Sequence, residues 1–166
     1  MEIKKRFNLK WFLSLLYFVC FGIFLKVGLE PAEAIEYQVA GRFYAPVINL
    51  SADVTALKMQ NHQLPTPDEI IGSYSIYPNK TLLIGHSSTV FADLKSLRLR
   101  DIVSYDNKSY QIYRIDVVPK AKIDMRDVLQ AESNDTIVLM TCAGQDLGNK
   151  DATHRLIITA KYLKSS

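Results

Sequence analysis

The sequence predicts an all-β domain with minor helix, closed into a barrel and preceded by one N-terminal membrane segment. Three observations carry this expectation. Seven or eight short segments have the alternation or apolar character of strands and are separated by polar turns, a pattern that favours a closed barrel over an open sheet. Helix-like spacing is confined to two short stretches, residues 90–99 and 121–131. A basic cluster followed by an uncharged apolar run opens the chain.

That N-terminal segment is an address. Lys4, Lys5, Arg6 and Lys10 precede the uncharged run 11–25, which Val27, Gly28 and Leu29 lengthen while Lys26 can snorkel. Basic residues before the run and Glu30 after it predict a cytoplasmic N-terminus, one pass through the plasma membrane and an extracytoplasmic remainder. Ala32-Glu33-Ala34 would suit cleavage of a signal peptide. The apolar run is at the long end for such a peptide, and an uncleaved anchor is the preferred reading. Residues 1–29 are read as basic tail and anchor, 30–41 as a linker containing Pro31, and 42–166 as the barrel.

Charge agrees with export. The chain has 20 Lys+Arg and 17 Asp+Glu; residues 1–29 hold five and one of them, leaving 15 against 16, a net of −1, for residues 30–166. No basic field remains outside the membrane address, which speaks against nucleic acid as a partner. The exported part suits one domain around a single core.

Residues 42–50 alternate and contain Pro46, as an edge strand does. Residues 59–69, polar with Pro65 and Pro67, form a loop. Ile71–Tyr77 is a weaker strand stopped by Pro78-Asn79, and 81–86 is a buried-type strand ending in Gly85-His86. Apolar residues at 90, 91, 94, 97 and 99 suggest one or two helical turns. Strands 101–105 and 108–118 make a hairpin across Asp106-Asn107. Met125–Leu129 holds a helical turn. Strands 135–142 and 155–163 end the domain, separated by a polar loop over 144–153.

Two cysteines are present, and Cys20 lies in the membrane segment. Cys142 therefore meets an oxidising exterior with no partner for a disulfide. Such a thiol is either a buried small hydrophobe or a nucleophile, and its place at a strand end before Ala143-Gly144 leaves both open. A nucleophilic thiol needs a base or a cationic neighbour. His86 ends an apolar strand at a barrel rim, His154 adjoins the last strand, and His62, in a proline-flanked loop, reads as solvated. Arg155 comes near Cys142 if their strands pair as a hairpin, where it could donate to a carbonyl or an oxyanion. The alternative is a rim arginine paired with Asp146 or Asp151.

These residues resemble a known family. Leu139-Met140-Thr141-Cys142 fits the L-x-T-C motif of sortases, with Arg155 following at the distance their arginine keeps. Leu83-Ile84-Gly85-His86-Ser87 resembles the family's strand-end histidine motif. The stretch 91–97 through 101–103 resembles the segment leading on from that histidine, and Ala45-Pro46-Val47 the early strand. The likeness covers residues 36–163.

The resemblance implies an eight-stranded β-barrel and a cysteine transpeptidase on the outer face of a plasma membrane. By it, Cys142 attacks a carbonyl in the C-terminal sorting signal of an exported protein and forms a thioacyl-enzyme. His86 serves as general acid and then base, Arg155 holds the carbonyl and its oxyanion, and Thr141 contributes to substrate binding. An amine acceptor, from a peptidoglycan precursor or a pilin lysine, releases the product, with no metal or cofactor.

Two departures stand out. Arg100 precedes Asp101 where the family commonly has Gly, which affects a turn. Residues 30–41 lack an Asp-Pro-Trp-like lid motif, which disfavours the lidded pilin polymerases. Leu64-Pro65-Thr66-Pro67 superficially resembles a sorting signal but lacks its Thr-Gly end and is read as loop. The competing readings are an extracytoplasmic cysteine hydrolase and an inactive barrel used as an adhesion or scaffold module. A cell-wall L,D-transpeptidase would need a His-Gly-Cys-like run, which the sequence lacks.

Overall fold

The computed structural model describes residues 38–61 and 63–164. The expected anchor over 1–29, Cys20, most of the stretch read as linker and His62 lie outside them. Eight strands among the described residues close into one barrel: β1 (Val39–Ala45), β2 (Leu50–Ala56), β3 (Ile71–Tyr77), β4 (Lys80–Ile84), β5 (Ile102–Tyr105), β6 (Lys108–Pro119), β7 (Thr136–Gly148) and β8 (Asp151–Tyr162). Around the barrel the order is β1-β2-β3-β4-β7-β8-β6-β5, with β5 pairing back onto β1. All pairs are antiparallel except β2–β3 and β4–β7. Parallel neighbours cannot be joined by a tight turn. The long connections of the domain therefore leave the sheet at these two junctions.

Period-two alternation sorts the side chains of each strand to two faces. Phe43, Val54, Ile71, Leu83, Val103, Ile112, Leu139 and Ile158, one from each strand, are buried in the barrel interior. The chain after β4 adds Phe91, Leu94 and Leu97 to the same core, with Phe91 edge-on to Phe43 at 6.2 Å between ring centroids. Leu82, Ile84, Val138 and Ile157 have the opposite phase and form a second cluster on the outer wall. A short helix, α1 (Met125–Leu129), capped by the Asp124 carboxylate, covers this cluster through Leu129. The β2–β3 connection packs on it through Leu57 and Leu64.

Three expected elements differ. Residues 42–50 are not one edge strand. Pro46 has no N–H to give to a ladder, so the chain turns in 3-10 conformation over Pro46–Ile48, passes Asn49 at φ 50° and returns as β2. Closure leaves no edge there, and β1 itself begins at Val39, inside the stretch read as linker. Residues 90–99 hold turns and one 3-10 segment, Leu94–Ser96, because their spaced apolar side chains fill the barrel interior without forming a helix.

The polar stretch 144–153 is mostly strand. β7 runs on to Gly148 and β8 starts at Asp151, joined by Asn149 and Lys150 at φ 51° and 59°, the signs a two-residue type I′ hairpin turn requires. Cys142 is consequently an interior residue of a long strand. The expected Asp106-Asn107 hairpin is present, with φ 49° and 61°.

Arg100 adopts φ 75° while its N–H donates to the Ile112 carbonyl. A left-handed conformation costs a side-chain-bearing residue about 1 kcal/mol, and glycine avoids it. Arg100→Gly is expected to raise stability by roughly that amount in urea denaturation. An unchanged or lower midpoint would show that the turn carries no such strain.

Candidate active site

The site is assembled where β4 and β7 run in parallel. Their last paired residues are Ile84 and Met140. Just beyond, the Gly85 N–H donates to the Met140 carbonyl at 3.4 Å, and the Thr141 hydroxyl donates to the Gly85 carbonyl at 2.7 Å. Thr141 is buried, so this bond is shielded from water. A Cβ on Gly85 would lie 2.6 Å from Val90 Cγ1 and 2.8 Å from Phe91 Cδ2. Only glycine lets the following segment fold back so closely.

His86 comes next, and its carbonyl accepts the N–H groups of Thr89 and Phe91, which turns the chain. The imidazole is thereby set beside the strand that carries Cys142, with 15 % of its side chain exposed.

On the other side, the β7–β8 ladder pairs Cys142 directly with Arg155. Thr141 and Leu156 are buried on the interior side of this ladder, so Cys142 and Arg155 share the outer face with Met140 and Ile157. His154 pairs with Ala143 and has the opposite phase; its Nδ1 meets the Thr153 hydroxyl at 2.8 Å, and it stays out of the groove. The site lies on the outer wall of the barrel and not at its rim, because β7 continues past Cys142.

Cys142, His86 and Arg155 line one groove of about 660 Å³ whose apolar walls include Leu64, Leu129 and Met140. A second cleft of about 560 Å³, with Ser87, Lys95, Gly144 and Asp146 among its lining, also reaches Cys142. The thiol is half-buried and stands between the two. It donates to the Lys150 carbonyl at 3.4 Å, and it is the only cysteine among the described residues. A core role for it is thereby excluded.

The strand pairing sets Arg155 opposite Cys142, and the expected ion pair with Asp151 also forms. Its Nη2 pairs with Asp151 Oδ1 at 2.7 Å, while Nη1 donates to the Ala152 and His154 carbonyls at 2.9 and 3.0 Å. Asp146 instead accepts the Gly148 N–H. Hydrogen bonds from Lys120, and then from Arg155, hold the Asp151 carboxyl well below the usual carboxylate range. Asp151 therefore stays ionised near neutral pH and keeps the guanidinium in place.

Asp68, in the β2–β3 connection, was not singled out from the sequence. Its Oδ1 lies 3.6 Å from His86 Nε2 and accepts from Lys150 Nζ. That lysine hydrogen bond holds the Asp68 carboxyl below its ordinary value. The stiffening Pro65 and Pro67 just ahead of it are the only local sign of a fixed position. Together the groups bring a thiol, an imidazole and a guanidinium to one groove, a combination with which acyl transfer can be carried out.

Comparison with known proteins identifies the family. A family model described as a sortase domain matches residues 43–163. Among solved structures the chain is similar to a lid mutant of sortase A from Corynebacterium diphtheriae, 19% identical over 81% of this chain and 75% of that one, with a TM-score of 0.61. It is also similar to sortase C2 of Group B Streptococcus pilus island 1, at 18% identity over 76% of this chain and 74% of that one, TM-score 0.59. Sortase C-1 from Actinomyces oris matches at 21% identity over 76% of this chain and 73% of that one, TM-score 0.60. At these identities the likeness is one of fold. The comparison with curated proteins returned no match.

The Thr141–Gly85 bond gives a direct test of how the site is held. Thr141→Val leaves the Gly85 carbonyl without its partner and is expected to cost about 1–2 kcal/mol in urea denaturation, whereas Thr141→Ser keeps most of the stability. Equal stability of Thr141→Val and the parent would show that this bond does not secure the strand end.

Proposed function

The chain belongs to the sortase family, whose members are cysteine transpeptidases, and from that membership we propose that it cleaves and transfers exported proteins through Cys142, His86 and Arg155. The observation that carries the reading is the convergence of these three side chains on one groove. The Cys142 thiolate attacks a backbone carbonyl within a C-terminal sorting signal, and the displaced electron pair forms an oxyanion. Arg155 turns part of its guanidinium from the Ala152 and His154 carbonyls to that oxygen.

Collapse expels the amine, which takes a proton from His86 and leaves a thioacyl-enzyme. An acceptor amine then loses a proton to His86, attacks the thioester and frees Cys142. One difficult amide exchange becomes two easier steps. Thr141 lines the same groove and contacts the acyl segment while its hydroxyl holds Gly85.

Two clefts meeting at the thiol support transfer over hydrolysis, since a transferase must seat an acyl donor and an acceptor. The acceptor is an amine of a peptidoglycan precursor or a pilin lysine. The basic tail and apolar run of residues 1–29 support a single-pass plasma-membrane protein with the barrel outside.

A peptide carrying a C-terminal sorting signal, incubated with the protein and a candidate amine, is expected to yield ligated product. Cys142→Ala should lower the rate at least about 10³-fold, and His86→Ala and Arg155→Ala each about 10²–10³-fold. Cleavage without ligation across several amines would identify a hydrolase. Turnover undiminished in Cys142→Ala would remove the proposal, and a Cys142 inert to alkylation would favour a scaffold barrel.

A further inference from the structure

Asp68 is placed by its main chain next to the imidazole. The Thr89 hydroxyl donates to the Asp68 carbonyl, which pins the β2–β3 connection to the turn following His86. From there a single carboxylate oxygen, Oδ1, is shared by an ammonium and an imidazole. Lys150 Nζ holds it at 2.5 Å, and His86 Nε2 stands off at 3.6 Å. The other charged or titratable groups of the groove are Cys142, Lys120, Asp151 and Arg155, and Asp151 takes both of the latter cations for itself.

Lys150 sits in the two-residue β7–β8 turn and makes two contacts at once. Its ammonium holds Asp68, and its carbonyl accepts the Cys142 thiol.

We propose that Asp68 is a positioning residue for His86, its carboxylate shared between the imidazole and the Lys150 ammonium. Oδ1 stands 3.6 Å from Nε2, and a small turn of either side chain brings it to hydrogen-bonding distance of Nε2–H. A carboxylate on one ring nitrogen fixes the tautomer and the ring plane, which leaves Nδ1 to exchange the proton with the departing and incoming amines. The consequence for rate rests on the transpeptidase reading; the consequence for the imidazole does not.

The test uses the full chain in detergent micelles, labelled with ¹⁵N-histidine, with the His86 signals assigned through His86→Gln. At a pH where the ring is neutral, the Nε2–H tautomer is expected to be populated beyond the preference a free histidine side chain already has for it. Asp68→Ala should lose that excess, and Lys150→Met, which frees the carboxylate, should enlarge it. Ring nitrogen shifts identical in the parent and Asp68→Ala would overturn the proposal, whether or not any peptide is turned over.

In ligation kinetics Asp68→Ala is expected to lower kcat about 10-fold with KM within about twofold, a fraction of what general acid–base catalysis supplies. Asp68→Asn, whose amide oxygen still accepts Nε2–H, should recover part of the loss. A change in KM alone would make Asp68 only a loop anchor and would equally overturn the role.

Discussion

The register of β7 against β8 is the constraint on which the rest of the site depends. Cys142 faces Arg155 because Ile137, Leu139, Leu156, Ile158 and Ala160 alternate into the barrel on the same two strands. A slip of one residue would turn one strand's core side chains to solvent and its functional ones inward. Each large apolar side chain turned out costs about 1.5–3 kcal/mol, and two or three of them together rival the whole stability of about 5–15 kcal/mol that such a domain has. The pairing of nucleophile and guanidinium is thus enforced by the core, not by any attraction between the two groups.

His86 depends on a second, weaker tie. The parallel β4–β7 ladder ends at Ile84 and Met140, and past it only the Gly85 N–H and the Thr141 hydroxyl join the two chains. Gly85 permits the tight return that buries Phe91, so the same residue serves the barrel core and the direction of the imidazole. At rest Arg155, Cys142 and Asp68 each have an internal partner. Arg155 bonds carbonyls of its own strand and Asp151, Cys142 bonds the Lys150 carbonyl, and Asp68 is tied to Lys150. A substrate therefore exchanges one set of hydrogen bonds for another. Such an exchange keeps the cost of desolvation low while demanding the right geometry.

Much of this was legible in the sequence, for reasons that differ by residue. Strands β3 to β8 show in their alternation or their apolar runs, and the hairpin that would bring Arg155 to Cys142 is the pairing the ladder has. Pro46 was visible as a misfit, yet alternation on both sides of it hid the turn that separates β1 from β2. The far ends of β7 and β8 were read as loop because their outward residues are polar on both faces, and period two carries no signal there. Spacing over 90–99 mimicked a helix since core contacts, not backbone hydrogen bonds, select those positions. Asp68, in the connection between the parallel strands β2 and β3, and Lys150, in the β7–β8 turn, meet His86 and Cys142 only once these strands pair.

Acylation of Cys142 is the event that links this geometry to a function, and intact-mass spectrometry reads it most directly. The full chain is mixed with a sorting-signal peptide in the absence of amine and quenched in acid. The mass is expected to rise by that of the peptide's acyl portion, mapped to the Cys142 fragment and released by hydroxylamine. A chain that stays unmodified while the peptide is cleaved, or an adduct on any other residue, would contradict it.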